Sequence, residues 1–500
     1  MFSRISQFRR PTRVLVALTV ALLLACSSTL LAFAAVKLIQ LSSDPFTNSA
    51  SQHKTEVEPD TFAAGGTFVS AFQVGRIFGG GAADIGFATS TNGGTSFTNG
   101  FLPDTTTAVT PPGIYSATSD ASVAFDAKHG VWLISFLGLS PNGTNAVDVL
   151  VSRSTDGGLT WSNPVPVNTD GHFNDKNWTV CDNTASSPFY GNCYTEFDDN
   201  SKNDLIQMST SSNGGANWSA ALPTADHAHG IGGQPLVQPG GTVIVPIEGF
   251  ASRNGDIMSF TSTNGGASWS AVTKIAPVRF HTPAGNLRSG ILPSAEIDAS
   301  GTVYVVWPDC HFEASCSAND LVFSTSSNGK NWSAVTRIPL DPIGSGVDHF
   351  IPGLAVDRST SGSTAHLAVT FYFYPVANCT AATCQLETGV STSADGGATW
   401  TQNTQIAGPM TLSWLPNTSQ GRMVGDYIST SFVGGPAFPA FAVASAPTSG
   451  GSDCFTATPN CNQPTFTVKG GVSVGHGNPA SAHFNSGSND TLTGSSLTAQ

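Results

Sequence analysis

An eight-residue pattern recurs six times along this chain. It reads STNGGTSF from Ser90, STDGGLTW from Ser154, SSNGGANW from Ser211, STNGGASW from Ser262, a degenerate TSSNGKNW from Thr325 and SADGGATW from Ser393. Its third positions are Asn92, Asp156, Asn213, Asn264, Ser327 and Asp395, at steps of 64, 57, 51, 63 and 68 residues. Repetition at such a period belongs to solenoids and propellers, where each repeat buries its apolar faces only against its neighbours. The chemistry of the pattern is that of a hairpin turn. An Asp or Asn side chain bonds its own backbone, the glycine pair permits positive φ, and the aromatic packs back over the turn. The six third positions are therefore scaffold and not catalytic candidates.

Strands with period-2 alternation, bounded by Gly and Asn, surround each turn. In one unit they run Ala121–Phe125, Val131–Gly138 and Val147–Ser152, with a fourth after the turn. The same order appears at Leu236–Gln238, Thr242–Glu248 and Ile257–Thr261, and at Ser294–Asp298, Thr302–Trp307 and Leu321–Ser324. Four antiparallel strands per unit describe a propeller blade. A seventh unit without the motif covers about 425–469 (Gly425–Ser431, Pro439–Ser445, Thr465–Lys469), and Val36–Leu41 offers a closing strand. The expectation is an all-β propeller over 55–469. Seven blades are favoured, or six if the last segment closes the first blade. Residues 36–54 read as a linker with that closing strand, and the Gly-, Ser- and Asn-rich stretch 470–500 as a disordered tail.

Composition narrows the alternatives. Charged residues are 11% of the chain against a usual quarter, with 53 Gly and 30 Pro spread throughout and no long helical period. A coiled coil, a helical bundle and a polytopic membrane protein are excluded. The net charge is −13, and no basic stretch follows the N-terminus, so nucleic-acid binding lacks its electrostatic footprint.

Residues 1–35 read as a targeting segment: Arg4, Arg9, Arg10 and Arg13, then an apolar run to Ala35 with a small-x-small site at Ala32-Phe33-Ala34. Its removal takes four arginines and no acid, moving the net charge from −13 to −17. Two other readings stand beside cleavage. Leu23-Leu24-Ala25-Cys26 resembles a lipoprotein box that would lipidate Cys26, and 14–36 is long enough to anchor uncleaved in a bilayer. All three place the bulk of the chain outside the cytoplasm, secreted or at the cell surface. The remaining eight cysteines fall in four tight pairs: Cys181 with Cys193, Cys310 with Cys316, Cys379 with Cys384, and Cys454 with Cys461. None has CxxC spacing. Local disulfides fit that oxidising location.

The Ser-x-Asp-x-Gly-x-Thr-Trp pattern resembles the Asp-box, or bacterial neuraminidase repeat. With six copies at blade spacing, the chain from about Thr55 to Lys469 resembles the sialidase superfamily, and more closely its secreted bacterial exo-alpha-sialidase-like members. The resemblance implies a β-propeller with Asp-box hairpins on one face, far from the active site. The implied activity is exo-hydrolysis of terminal glycan residues, with a glycan substrate, no cofactor, no metal and a monomeric state. Asp-boxes also occur in other glycosidases and in binding propellers, so a non-catalytic glycan- or protein-binding surface propeller is the alternative.

Ligand sites on such a fold belong at the end opposite the Asp-boxes. Ahead of the inner strands lie Asp120, Asp175 with Lys176, Gln234, Arg288, Asp348 with His349, and Asp426 with Tyr427; after the second strands come Arg76, Glu196, Glu248, Asp309 and Tyr374. A retaining sialidase uses three arginines to fork the sugar carboxylate, a tyrosine nucleophile, a glutamate as its base and an aspartate for acid/base transfer. The resemblance carries these roles to Arg76, Arg288 and Arg422, Tyr427, Glu248 and Asp120, with Arg253 competing for the second arginine. The family's Phe/Tyr-Arg-Ile-Pro signature is reduced here to the Arg-Ile of Gly75-Arg76-Ile77-Phe78. A different glycoside, cleaved by two carboxylates among Asp120, Asp175, Glu248 and Asp309, stays open.

Three other constellations carry less. Asp226-His227-Ala228-His229, with His281 or His349, lacks a full metal-ligand set. Asp198-Asp199-Asn200 with Asp204 fails the calcium-loop pattern and reads as an acidic turn. Gly471-Val472-Ser473-Val474-Gly475 matches the nucleophile-elbow spacing but no helix follows it, and it is discarded.

Overall fold

The computed structural model describes residues 36–250, 255–447, 453–454, 461–480 and 483–484. The expected targeting segment with Cys26, the competing Arg253 and the end of the chain lie outside them. No described helix is long and apolar enough to cross a membrane.

Among the described residues the alternating segments pair as successive antiparallel arrays, mostly of four strands, with the first two joined in one eight-stranded sheet and the fourth and fifth each carrying a fifth strand. The first array is Ser51–Ala64, Thr67–Ile77, Ala82–Ser90 and Thr98–Phe101. The second is Ala117–Asp126, Val131–Leu139, Val147–Ser154 and Val165–Asn168. The third is Asn174–Cys181, Cys193–Asp199, Leu205–Ser211 and Leu222–Pro223. The fourth opens on the short Gly230–Ile231 and Leu236–Val237, followed by Val243–Gly249, Asp256–Ser262 and Thr273–Pro277. Ser294–Ile297, Val303–Asp309, Asp320–Ser326 and Val335–Arg337 form the fifth, and Asp348–Val356, Leu367–Tyr374, Gln385–Ser393 and Thr404–Thr411 the sixth. In the seventh, Ser429–Phe432, Ala437–Ala442 and Thr465–Val468 take their outer strand from the other end of the chain, where Leu38 lies opposite Val468 and Gln40 opposite Phe466.

Each array is too thin to bury its own side chains, so the apolar faces meet between arrays. Val69, Ile85 and Phe87 of the first pack on Val123, Ile134 and Leu150 of the second. Tyr194 and Ile206 of the third meet Val245 and Phe260 of the fourth, and Ile244 and Ile275 of the fourth meet Val305 and Trp307 of the fifth. Phe72 and Val74 of the first array pack on Ala440 of the seventh and on Leu41, so the last array abuts the first. The first strands touch in the same cyclic order. They leave a channel of about 30 Å³, lined by Asp60, Val123, Thr179, Leu236, Ser294, Leu354 and Ser429, one from each array. That volume holds about one or two waters.

The repeated motif forms the turn its chemistry implies. Asp156 Oδ1 accepts hydrogen bonds from the Leu159 and Thr160 amides at 3.1 and 3.0 Å and from Ser154 Oγ at 2.7 Å, while Ser154 Oγ accepts the Gly158 amide at 2.9 Å. Gly157 and Gly158 have φ of 85° and 81°, which a side chain would strain. The degenerate copy is framed one residue later than the sequence suggests. Asn328, not Ser327, takes the acceptor place and receives the Lys330 and Asn331 amides at 2.9 Å, because one glycine of the pair is missing. Since Ser154 lies opposite Trp132 and Trp132 opposite Phe125, these turns sit at the far end of the first strands from residue 120.

All four cysteine pairs close as disulfides in the expected connectivity. Cys181 bonds Cys193, its direct opposite on the neighbouring strand, and Cys310 bonds Cys316 at the end of the fifth array's second strand. Cys379 bonds Cys384 in the loop ahead of Gln385–Ser393, and Cys454 bonds Cys461 ahead of the Thr465–Val468 strand. The tail expectation needs correction at its start. Asn478–Pro479 pairs with Thr399–Trp400, and His483–Phe484 pairs with Val335–Thr336, because polar, glycine-rich segments can still donate backbone to an open strand edge.

Candidate active site

The inner strands break their alternation at equivalent places. Pairing shifts between Val57 and Asp60, between Ser119 and Ser122, between Asp175 and Trp178, and between Phe350 and Gly353. Each break holds one non-glycine residue in the left-handed region: Glu58 at φ 55°, Asp120 at 51°, Lys176 at 44° and Ile351 at 54°. Such a conformation costs about 1 kcal/mol or more per residue, and a bulge re-aims the side chain it holds. In three successive arrays the re-aimed side chain is ionisable.

These side chains converge at the end of the channel opposite the repeated turns. Glu58 Oε1 accepts the Asp426 amide at 3.0 Å, and Glu58 Oε2 accepts from Gln73. Burial first, then Asp120 and Asp426, push the Glu58 carboxyl up to about 8. Asp175, partly open to solvent, accepts the Lys176 amide at 2.9 Å; burial and then Asp120 raise it to about 7, against the pull of Lys176 and Arg288. Glu196 is fully buried and is raised by that burial to about 8, opposed by the Lys176 ammonium. Asp198, directly opposite Asp175, has both carboxylate oxygens without a hydrogen-bond partner and is pushed well above the carboxylate range by burial, Asp175 and Glu196. Asp120 is 9% exposed and receives Ser119 Oγ at 2.7 Å. The centre is thus a group of carboxyls, several holding protons near neutrality, around few cations.

Tyr427 lies within this group. Its hydroxyl donates to the Ala121 carbonyl at 3.2 Å, and its ring meets Trp178 edge-on at 5.3 Å. Burial, then Asp120 and Glu58, hold its proton more firmly than in a free phenol. The segment Gly421–Tyr427 also gathers the three expected arginines. Arg76 Nε lies 3.1 Å from Met423 Sδ, and its Nη1 donates to the carbonyls of Ile77, at 3.1 Å, and Gly81. Arg288 donates its amide to the Arg422 carbonyl at 2.7 Å and forks Asp426, with Nε to Oδ1 at 2.8 Å and Nη2 to Oδ2. Burial works to lower the Arg288 guanidinium, and Asp426, Glu58 and Asp120 outweigh it. Arg422 donates to the Leu415 carbonyl at 2.9 Å and to Asp453 at 2.8 and 3.0 Å. All three guanidinium groups therefore already carry protein partners.

The other expected residues fall elsewhere. Glu248, on the second strand of the fourth array opposite Ile231 and Ile257, is raised to about 7 by burial. Asp309 accepts the His311 amide at 2.7 Å and the Arg279 amide at 3.3 Å, which organises its own loops. Asp348 is held by Asn319 and by His281 Nδ1 at 3.0 Å. His229 instead contacts the Asn203 carbonyl at 2.7 Å. Asp198 faces Asp175, whereas Asp199, on the opposite face of the strand, engages His172 and Lys202, both at 2.8 Å.

Glu58 was not among the sequence candidates. A signal for it exists: Glu58, Asp120 and Lys176 lie 34, 36 and 37 residues ahead of Asn92, Asp156 and Asn213.

No family model matches the chain, and no curated protein matches it. Solved structures do. An ulvan lyase of a new polysaccharide-lyase family is similar at 10% identity and a TM-score of 0.48, covering 86% of this chain and 96% of its own. The NanB sialidase of Streptococcus pneumoniae is similar at 14% identity and a TM-score of 0.40, covering 87% and 70%. An intramolecular trans-sialidase from Ruminococcus gnavus is similar at 12% identity and a TM-score of 0.40, covering 85% and 97%.

Proposed function

We propose that this protein is an exported seven-bladed β-propeller that hydrolyses a terminal glycosidic bond, with Asp175 as general acid and Asp120 as its carboxylate partner. The observation that carries this reading is the repeated bulge, which turns Glu58, Asp120 and Lys176 towards one place at the cost of three left-handed residues. Two-carboxylate cleavage needs one group that keeps its proton at working pH beside one that accepts. Asp175, raised to about 7 yet reached by solvent, suits the first role. Its proton passes to the glycosidic oxygen as the C1–O bond breaks, and the electron pair leaves on that oxygen. Asp120 then faces the cationic sugar ring, attacking C1 or taking a proton from the water that attacks. Trp178, half-buried between Tyr427 and Lys176, offers an apolar face for a sugar ring. The four local disulfides support export.

A sialidase-type reading is favoured by one observation, the gathering of Arg76, Arg288 and Arg422 on Gly421–Tyr427. In that reading Tyr427 attacks, and Glu58 replaces Glu248 as the nearby carboxylate.

Fluorophore release from a panel of aryl glycosides, including an α-sialoside, separates these readings. Asp120→Asn and Asp175→Asn are each expected to lower release by about a hundredfold or more, with Tyr427→Phe retaining turnover. Cleavage confined to the α-sialoside and abolished by Tyr427→Phe would transfer the function to the sialidase reading. Glycan binding without release from any substrate would make the protein a non-catalytic propeller.

A further inference from the structure

The central channel ends, on the face of the repeated turns, beneath a fixed ion pair. Arg358 Nη2 donates to Glu296 Oε2 at 3.0 Å, and the guanidinium carbon lies 4.8 Å from the centroid of the Phe62 ring. All three residues line the channel and also a cavity of about 430 Å³ outside it. That cavity lies between the first, fifth, sixth and seventh arrays, with Ser431, Phe432 and the Gly434–Gly435 turn on its other side. Its position on the turn face is fixed by the neighbouring hairpin, whose Gly66 carbonyl accepts the Gly93 amide of the first motif at 2.9 Å.

We infer that this cavity is a second binding site, and that it takes a neutral sugar. The volume is that of a small-molecule pocket. Arg358 and Glu296 stand side by side with side chains 37% and 22% exposed, so a planar donor and a planar acceptor both reach the cavity. Adjacent hydroxyls of a pyranose present that combination of acceptor and donor. Phe432 adds a partly buried aromatic surface, and Ser431 a hydroxyl held 2.8 Å from Thr61 Oγ1. The charge balance selects against an anion. Glu296 neutralises Arg358, and the remaining acid, Asp357, binds the Ser359 amide and hydroxyl at 3.0 and 2.6 Å. Among the described residues a carboxylated sugar finds no unmatched cation here, whereas a neutral one meets both partners without desolvating a net charge. The site is separate from the acidic centre at the other end of the channel and does not depend on the reaction assigned there.

Saturation-transfer NMR on the purified protein tests this with methyl glycosides of galactose, glucose and N-acetylglucosamine, and the methyl α-glycoside of N-acetylneuraminic acid for comparison. At least one neutral glycoside is expected to bind with a Kd of about 1 mM. Arg358→Ala should weaken it about tenfold, and an Asp120→Asn/Asp175→Asn double variant should leave it unchanged. Thermal unfolding checks each variant's fold, and Phe432→Ala makes the same comparison if Arg358→Ala does not fold. Three results would overturn the inference: no neutral glycoside binds, binding survives loss of the Arg358 or Phe432 side chain, or binding disappears in the double variant.

Discussion

The Lys176 ammonium lies 3.5 Å from the centroid of the Tyr427 ring, with the Trp178 ring 4.7 Å away on the same strand. The contact depends on the bulge that places Lys176 in the left-handed region. It brings a cation to the edge of a group of acids, lowering the proton affinity of Asp175 and Glu196. Lys176→Met removes that charge while keeping an apolar stem. Asp175 then holds its proton to higher pH, and the alkaline limb of the activity profile moves up by about one unit. A limb that moves down would show that Lys176 does not act on the acid.

In the proposed mechanism, the Asp175 carboxyl at about 7 sets that alkaline limb in the wild type. A general acid works only while protonated, so kcat/KM should fall tenfold per unit at pH values well above 7. The profile of Asp175→Asn, measured with an activated aryl leaving group that needs little protonation, should lose this limb. A wild type whose activity is flat from neutral to alkaline pH would remove Asp175 from the acid role.

Stability should also fall towards alkaline pH. Burial raises Glu56, Glu58 and Glu196 to about 8 from an ordinary 4.5, and Asp60 to about 7 from 3.8. A folded-state value above the unfolded one means that the native state binds the extra proton. The stabilisation is therefore complete below the unfolded value and disappears as pH rises through the folded one. Each such group contributes on the order of a few kcal/mol. Urea midpoints should be highest near about pH 5 and fall steadily to about pH 9, whereas a rise across that window would contradict the proton binding.

The repeated turns should answer to stability and not to activity. Asp156 is held down to about 2, chiefly by the Thr160 hydroxyl and amide, and it lies on the face opposite the acidic centre. Asp156→Ala leaves those donors to solvent at this exposed site and should cost about 1 kcal/mol. Its kcat should match the wild type. Asp120→Asn should show the reverse pattern, and equal kcat losses in both variants would dissolve the distinction between scaffold and site.

Much of the architecture is legible because it is encoded locally. Ser154 to Trp161 carries the whole hydrogen-bonding logic of its turn within eight residues, and Val131–Leu139 is a short apolar run bounded by turn residues, buried along nearly its whole length. The cysteines are legible for the same reason, since Cys310 and Cys316, like Cys379 and Cys384, lie too close along the chain to need a distant partner. The site is harder to read because its determinants are differences between strands. Nothing local in Lys54–Asp60 announces that the pairing slips at Glu58, since the slip is defined by the partner strand Thr67–Ile77. The arginines illustrate the same limit. Their order along the chain suggests a clamp, but their partners, Asp426 for Arg288 and Asp453 for Arg422, emerge only once distant loops meet.

The outer strand Leu38–Gln40 and its partner Thr465–Val468 stand 430 residues apart along the chain, counted from Leu38 to Val468. The seventh array, whose innermost strand begins just after Asp426 and Tyr427, therefore cannot be completed until two segments from far apart in the chain have met. The fold closes like a clasp, and two residues of the acidic centre sit at the start of the array that the clasp completes.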